Sequence, residues 1–256
     1  MNILLTNDDG IESEGILKLA ETLRSSGRYN VFILAPDVNR SGVSGGLTIF
    51  NPVRLQEKAK GNWTCSGMPV DCVIAAVLGG KPCKPDLVIS GINHGANLGS
   101  DIMYSGTTAA ARQAAFMGIP GIALSLGNTG SRIEYFHWDM AVNYAADNLE
   151  KFINMWRKDI FINVNIPNNA AGPDGMAVTW PACKTYNDTL DFIRSPFGEW
   201  CYMVPGRETA ANQAGSDWEA ISANIVSVSP VCIQPAVPGD LCPNAPDYAA
   251  AGKRSL

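Results

Sequence analysis

The chain has 256 residues, 46% of them hydrophobic and 17% charged, which supplies a sizeable core and excludes a disordered protein. Its 19 basic and 24 acidic residues give a formal net charge of −5. No basic stripe stands out, so recognition of a nucleic-acid duplex is excluded as its main role. No run of about 18 apolar residues occurs, so we expect no membrane partner.

The start of the chain and the cysteines predict a cytoplasmic protein. The apolar run at residues 1–5 is too short for a signal peptide and lacks a basic start and a cleavage site. The seven cysteines include no CxxC pair. We therefore expect reduced, mostly buried thiols rather than disulfides or zinc ligands.

Strand-like and helix-like segments alternate through the first two thirds of the chain. The apolar patterns predict strands at 2–6, 31–35, 87–90, 121–126 and 160–166, helices at 13–26, 70–78, 107–117 and 137–156, and extended or hairpin structure at 47–64. Such alternation is typical of α/β proteins in which helices cover both faces of a mainly parallel sheet. We predict this core for residues 1–167.

The composition of the sequence changes at about residue 168, where prolines, glycines and tryptophans become frequent and helical periodicity nearly vanishes. We predict that residues 168–256 form a β-rich arm or subdomain, with its best strand at 224–231. The stretch 235–256 is expected to be weakly structured.

Polar side chains cluster after three of the predicted strands, at residues 7–10, 39–42 and 90–97. All three clusters lie at carboxyl ends, where open α/β sheets bind their ligands. They offer two carboxylates, a hydroxyl and an amide, from Asp8, Asp9, Ser41 and Asn93. Adjacent carboxylates repel unless a cation compensates them, and oxygen ligands without a soft partner favour magnesium, manganese or calcium over zinc. The alternative is that Asp8 and Asp9 only cap the helix that follows.

A second cluster directly precedes the alanine-rich helix predicted from 107. The backbone amides and dipole of a helix start attract phosphate, and hydroxyls add donors. Ser105, Gly106 and Thr107 are therefore candidate phosphate ligands. The same hydroxyls could also serve only as N-caps.

Several familiar motifs are absent, among them a Walker A loop, HExxH, and GxGxxG after the first strand. Residues 42–46 match the GxSxG pattern around Ser44, but a polar loop precedes it and extended-looking sequence follows, so we interpret the match as coincidence. His94 lies in the third polar cluster and could bind substrate or act as an acid or base.

The chain resembles the SurE (survival protein E) family of metal-dependent nucleotidases. The resemblance is carried by NDDG at 7–10, APDVNRSG at 35–42, MPVDCV at 68–73, SGINHGAN at 90–97 and YSGTTAAA at 104–111, with a weaker match at 217–230. It implies an α/β/α fold with a Rossmann-like core and a C-terminal arm that is exchanged within a homodimer or homotetramer.

The resemblance also implies 5′- and 3′-nucleotidase activity with one magnesium or manganese ion per subunit, and in some members exopolyphosphatase activity. Carried over residue by residue, it assigns the metal to Asp8, Asp9, Ser41 and Asn93. The phosphate is assigned to four further residues, which are Asn97, Ser105, Gly106 and Thr107.

The sequence thus leads to one main hypothesis, a metal-dependent phosphatase that acts on small nucleotide substrates. Asp8 and Asp9 would be its catalytic residues, and one of them could accept a proton from the attacking water or form an aspartyl-phosphate. The competing hypotheses are a sensor that binds nucleotide and metal without turnover, and an esterase that uses Ser44.

Overall fold

The computed structural model describes residues 1–129, 133–206, 209–210 and 213–234. Its strands are β1 (Asn2–Thr6), β2 (Asn30–Pro36), β3 (Leu55–Ala59), β4 (Asn62–Cys65), β5 (Leu87–His94), β6 (Gly121–Gly127), β7 (Ile160–Pro167), β8 (Gly175–Val178), β9 (Lys184–Thr185), β10 (Thr189–Ser195), β11 (Gly198–Val204), β12 (Thr209–Ala210) and β13 (Ile225–Cys232). Its helices are α1 (Glu14–Ser25), α2 (Pro69–Gly79), α3 (Gly106–Phe116), α4 (Trp138–Met155) and α5 (Asp217–Ser222), with a 3₁₀ helix at Gly99–Met103.

A nine-stranded sheet with the order β3-β4-β2-β1-β5-β6-β7-β13-β8 forms the centre of the fold. The run from β4 to β7 is parallel, whereas β3 pairs antiparallel with β4 and β13 pairs antiparallel with β7. The central strands are apolar nearly throughout because both of their faces are covered.

The helices form two layers, and the side chains of β1 show how the layers divide. Ile3 and Leu5 belong to the apolar cluster that α1 and α4 cover, whereas Leu4 belongs to the cluster under α2 and α3. Successive residues of a strand point to opposite faces, so this division places one helix pair on each side of the sheet. The predicted three-layer α/β/α class is confirmed.

Part of the predicted arm belongs to the sheet. Strands β8 and β13 lie beyond the proposed division at residue 167, yet β13 pairs with β7 and β8 pairs with β13. The β10–β11 hairpin is a separate, exposed element. The segment 235–256 lies outside the described residues.

Three local predictions differ from the structure. Strand β5 continues to His94 instead of ending at 90. Within the predicted extended stretch 47–64, only the residues of β3 and β4 pair as strands. Helix α5 was not predicted, because six residues are too few to show helical periodicity.

The described cysteines are free thiols, as expected, but only half of them are buried. Cys65, Cys72 and Cys83 are buried, while Cys183, Cys201 and Cys232 are exposed. Among the described residues, none of the helices combines the length and apolar character needed to cross a membrane.

The α1–α4 layer yields a stability prediction with a matched control. Leu149 of α4 is 1% exposed and Leu17 of α1 is 41% exposed. We expect Leu149→Ala to lower the free energy of unfolding by about 2–5 kcal/mol, through lost burial and a residual cavity. Leu17→Ala, the same change on a solvent-facing helix position, should cost less than about 1 kcal/mol. Urea unfolding of both variants measures the difference, and equal losses would contradict the assigned layer.

Candidate active site

The turn after β1 brings two carboxylates to the carboxyl edge of the sheet. The Asn7 side chain organises this turn, since its Nδ2 donates to the Gly10 carbonyl at 2.9 Å and its Oδ1 accepts from the Gly10 N–H at 3.2 Å. Gly10 has a φ of +101°, which favours glycine. Because β1 has ended at Thr6, the side chains of Asp8 and Asp9 are not forced to point to opposite faces of the sheet.

The Asp8 carboxylate lies against the start of α3. The backbone N–H of Thr107 donates to Asp8 Oδ2 at 3.1 Å, and the Thr107 hydroxyl donates to Asp8 Oδ1 at 2.5 Å. This approach requires glycine at position 106, because a Cβ there would lie 2.8 Å from the Cβ of Asp8. The helix dipole adds a favourable interaction with the carboxylate.

The other predicted metal ligands lie around Asp8. Asn93 Oδ1 is 3.3 Å from the Thr107 hydroxyl, which also donates to Asp8. The loop that carries Ser41 is tied to the same residue, because the Arg40 N–H donates to the Asp8 carbonyl at 2.6 Å. Asp8, Ser41 and Asn93 all line one cavity of about 510 Å³.

Asp9 is the neighbour of this group and faces a second, smaller cavity together with Asn39 and His94. Its Oδ2 accepts the backbone N–H of His94 at 3.1 Å. The structure therefore places all four predicted metal ligands at one edge of the sheet, with three of them on a shared cavity. Their role in metal binding stays a prediction.

The predicted phosphate ligands divide into two groups. Asn97 and Ser105 line the 510 Å³ cavity, whereas the donors of Thr107 point to Asp8. Ser105 Oγ accepts the N–H of Thr108 at 3.2 Å, so it is the N-cap of α3. The capping alternative thus describes the Ser105 side chain in this structure, and phosphate binding by these residues stays a prediction.

Asn97 is held in place by a buried polar network. Its Nδ2 donates to Ser125 Oγ at 2.8 Å, and its backbone N–H donates to Asn165 Oδ1 at 2.7 Å. Its carbonyl accepts from Asn163 and Asn165. These four hydrogen bonds fix the position of Asn97 in the cavity wall.

Burial and repulsion make the aspartate pair electrostatically unfavourable without a counter-charge. Burial raises the pKa of Asp8, although the hydrogen bonds from Thr107 oppose the shift. Burial also raises the pKa of Asp9, and the charge of Asp8 raises it further. A divalent cation would relieve both effects.

The chemistry of the donors fits a hard cation. Within the described part of the chain, no three His, Cys, Asp or Glu side chains are grouped closely enough to hold a metal by themselves. A cation at this edge would therefore use the neutral oxygens of Ser41 and Asn93 beside the two carboxylates. This donor set suits magnesium or manganese better than zinc.

Several residues that line the cavity are not among those predicted from the sequence. Asp101, Tyr104, Tyr186, Asp188 and Met203 contribute to its walls, and the last three come from the segment beyond residue 168. Tyr104 adjoins the 105–107 cluster and opens the motif at 104–111, and these were the signals available for it. Nothing in the linear pattern connects the distant residues to the site.

The two remaining candidates have structural contacts of their own. Ser44 Oγ donates to the Met103 carbonyl at 2.6 Å, so it is bonded to backbone. The His94 ring packs on Phe136 with centroids 4.0 Å apart, and His94 lies at the rim of both cavities. Among the contacts of the described residues, none joins Ser44 to His94 as a nucleophile–base pair would require.

Fold and site together define an α/β protein whose acidic, oxygen-rich site lies at the carboxyl ends of parallel strands, beside a helix N-terminus. The sequence model of the family described as survival protein SurE matches residues 3–188. The chain therefore belongs to the SurE family.

The relatives and a solved structure agree with this assignment. The chain is 38% identical over 235 residues to the 5′-nucleotidase SurE of Halorhodospira halophila, covering 90% of this chain and 91% of the relative. It is 40% identical to the 5′-nucleotidase SurE of Pelobacter propionicus, covering 90% and 93%. The crystal structure of the SurE protein from Aquifex aeolicus superposes with a TM-score of 0.78 at 33% identity, covering 92% of this chain and 95% of that one.

The raised pKa of Asp9 gives a prediction for the metal-free protein. A carboxyl whose folded pKa lies above its unfolded value is most favourable when protonated, so its contribution to stability falls as pH rises through the folded pKa. In chelator at pH 7, Asp9→Asn should therefore raise the melting temperature by a few degrees. The gain should shrink as the pH falls toward about 4, where the unfolded carboxyl also takes up its proton.

Asp71→Asn is the matched control, because Asp71 is a nearby aspartate that is satisfied by hydrogen bonds. It accepts the Thr48 hydroxyl at 2.6 Å, the Thr48 N–H at 3.1 Å and the Met68 N–H at 2.8 Å. This variant should lower the melting temperature at pH 7. If Asp9→Asn lowers it as well, Asp9 is not under electrostatic strain.

Proposed function

We propose that this protein is a divalent-metal-dependent phosphatase that hydrolyses nucleoside 5′- and 3′-monophosphates to nucleoside and phosphate. The observation that carries the proposal is the adjacent carboxylates of Asp8 and Asp9, of which Asp8 lies against the start of α3 and lines a cavity large enough for more than phosphate alone. The names of the relatives, 5′-nucleotidase SurE, support the 5′ activity. Exopolyphosphatase activity and the 3′ activity rest on the resemblance alone.

In this proposal Asp8, Asp9, Ser41 and Asn93 hold one magnesium or manganese ion per subunit. When bound, such an ion polarises the phosphoryl group and lowers the pKa of a water molecule that attacks it. The raised pKa of both aspartates supports this assignment, because each gains from a nearby positive charge.

The chain's own residues supply positioning and proton transfer. Thr107 orients the Asp8 carboxylate through two hydrogen bonds, and the α3 dipole favours negative charge at this point. One of the two aspartates accepts the proton of the attacking water. In this proposal Asn97 and the start of α3 at Ser105 and Gly106 bind the phosphoryl oxygens, while Thr107 acts through Asp8. Positioning and electrostatics of this kind dominate phosphoryl transfer.

The two alternatives have less support. An esterase would need Ser44 free to attack, but its hydroxyl donates to the Met103 carbonyl at 2.6 Å. A non-catalytic sensor would share the same site, and turnover alone separates it from a phosphatase. The names of the relatives favour catalysis.

We further propose that the protein is a cytoplasmic homodimer or homotetramer. The β10–β11 hairpin exposes large apolar side chains on both of its faces, and a two-stranded hairpin is rarely stable alone. These side chains are 51–97% exposed: Leu190, Phe192, Ile193, Phe197, Trp200, Tyr202 and Met203. A second copy of the chain would bury them.

Light scattering at assay concentration should give at least a dimer, and a fully active monomer would contradict this proposal.

Phosphate release from a nucleoside 5′-monophosphate should require a divalent cation. After exhaustive chelation the turnover should fall to background, and magnesium or manganese should restore it better than zinc. Asp8→Asn and Asp9→Asn should each lower turnover by about a hundredfold or more. Full turnover after chelation would exclude the metal-dependent reaction, and a metal-replete protein that binds nucleotide without turnover would indicate a sensor.

Substitutions at two adjacent threonines at the start of α3 distinguish an effect on catalysis from an effect on stability. Both are buried, but the Thr107 hydroxyl donates to Asp8, whereas the Thr108 hydroxyl donates to the Ile102 carbonyl at 2.9 Å. Thr107→Val removes a hydrogen bond to a charged group and should lower kcat/KM about ten- to a hundredfold.

Thr108→Val is the control, with the same change of side chain one residue along. It should lower the melting temperature and change kcat/KM far less. Melting curves and kinetics are measured on both variants under the same metal concentration. Kinetic losses of similar size in the two variants would show that Thr107 serves only the packing of the helix.

A further inference from the structure

Two buried thiols lie next to each other where β4 leads into α2. Cys65 is the last residue of β4, and Cys72 is the fourth residue of α2. Both are 0% exposed and belong to the apolar cluster under α2 and α3. The Cys72 thiol donates a hydrogen bond to the Cys65 sulfur. The reaction proposed above uses neither group, so this contact has no role in it.

The surroundings of Cys65 favour its thiolate form. The hydrogen bond from the Cys72 thiol lowers the pKa of Cys65; burial opposes the shift, and the Gly67 N–H, which donates to the Cys65 sulfur at 3.4 Å, adds to it. Burial raises the pKa of Cys72, so that thiol keeps its proton. A thiolate beside a protonated thiol is the arrangement in which one sulfur attacks an oxidant and the other resolves the product.

The third buried thiol provides a contrast. Burial raises the pKa of Cys83 to about 11, and the charge of Asp86 contributes to the shift. At neutral pH this thiol is therefore protonated and a poor nucleophile. Cys83 is thus a matched control for the pair, because it shares their burial but not their hydrogen bond.

The residues around Cys65 also hold the loop that carries Ser41. The Cys65 carbonyl accepts the Asp37 N–H at 2.9 Å, and the Ser66 carbonyl accepts Arg40 Nη2 at 3.2 Å. A disulfide requires its two sulfurs to approach from a hydrogen-bonded contact to about 2.05 Å. Because protein interiors are closely packed, a movement of this size at Cys65 would shift the carbonyls that hold the loop.

We propose that Cys65 and Cys72 are a modification site, at which a hydroperoxide forms an intrachain disulfide that a thiol reductant reverses. The disulfide displaces the loop at 37–41 and so weakens the proposed metal site at Ser41. The effect on turnover rests on the proposed function, whereas the formation of the disulfide does not.

The reaction proceeds in two steps. The Cys65 sulfur attacks one oxygen of the peroxide, the O–O bond breaks, and the thiol proton leaves with the other oxygen as water, which gives a sulfenic acid. The Cys72 sulfur then attacks the Cys65 sulfur, the S–O bond breaks and a second water leaves. Two thiols are thus oxidised by two electrons while hydrogen peroxide is reduced to two waters. Ser66 and Met68 are only half-buried, so opening of the turn at 66–68 admits a small oxidant.

Peptide mapping tests the bond directly. The reduced protein is treated with hydrogen peroxide, its free thiols are blocked, and the chain is cleaved on the amino side of aspartates. Cleavage at Asp71 leaves Cys65 in peptide 37–70 and both Cys72 and Cys83 in peptide 71–85. These peptides should stay joined in the parent and in Cys83→Ser, and should separate in Cys72→Ser. Separate peptides in the parent, or joined peptides in Cys72→Ser, would overturn the assignment.

The effect on the metal site is measured on the same samples. Oxidation should raise the magnesium concentration for half-maximal turnover by about two- to tenfold, the range for one weakened neutral contact. Dithiothreitol should restore the parent and Cys83→Ser. Neither Cys65→Ser nor Cys72→Ser should show a loss that dithiothreitol reverses. An equal reversible loss in Cys72→Ser would assign the effect to other cysteines and overturn the link to the metal site.

Two further measurements separate the possible failures. Melting temperatures check that the variants are folded, and Cys72→Ala replaces Cys72→Ser where the buried hydroxyl prevents folding. A reduced parent that releases no phosphate would overturn the proposed function instead. Calorimetry of manganese binding then tests the pair: weaker binding by the oxidised form supports the link to the metal site, and equal binding overturns it.

Discussion

The contact between the Asp8 carboxylate and the start of α3 determines the arrangement of the site. It needs glycine at 106 for close approach, the Thr107 donors for orientation, and the end of β1 at Thr6 so that Asp8 turns toward the helix. The loop with Ser41 and the end of β5 with Asn93 are fastened to the same point. A buried carboxylate at a helix N-terminus is thus both a structural junction and the centre of the proposed chemistry.

The segment beyond residue 168 completes the site through contacts with the carboxylates of Asp101 and Asp217. Asp217, which is 0% exposed, accepts the backbone N–H groups of Gly99, Ala182 and Trp218. Together with Asp101, it connects the 3₁₀ helix beside the cavity to the segment that carries Tyr186. Burial raises the pKa of Asp217, so these backbone donors are needed to keep the carboxyl satisfied.

The sequence predicted the parts of the molecule that depend on neighbouring residues. The apolar periodicity located β1, α1 and α4 within one or two residues, and the polar clusters located Asp8, Ser41 and Asn93, because strand ends are local features. The contact of Tyr186 with Asp101 spans 85 residues and depends on packing, which no local pattern encodes. For the same reason the sequence could not show that Thr107 donates to Asp8, or that β13 returns to pair with β7.

The asparagines under the cavity also bear on how the chain finds its fold. Asn163 and Asn165 alternate along β7 with Ile162, Val164 and Ile166, which belong to the apolar layer under α1 and α4. A slip of β7 by one residue would turn both amides into that layer and strip them of their bonds to Asn97. Mispaired sheets are therefore penalised before any substrate is present. Asn163 and Asn165, which hold Asn97 in place, thus also fix the register of β7 as the protein folds.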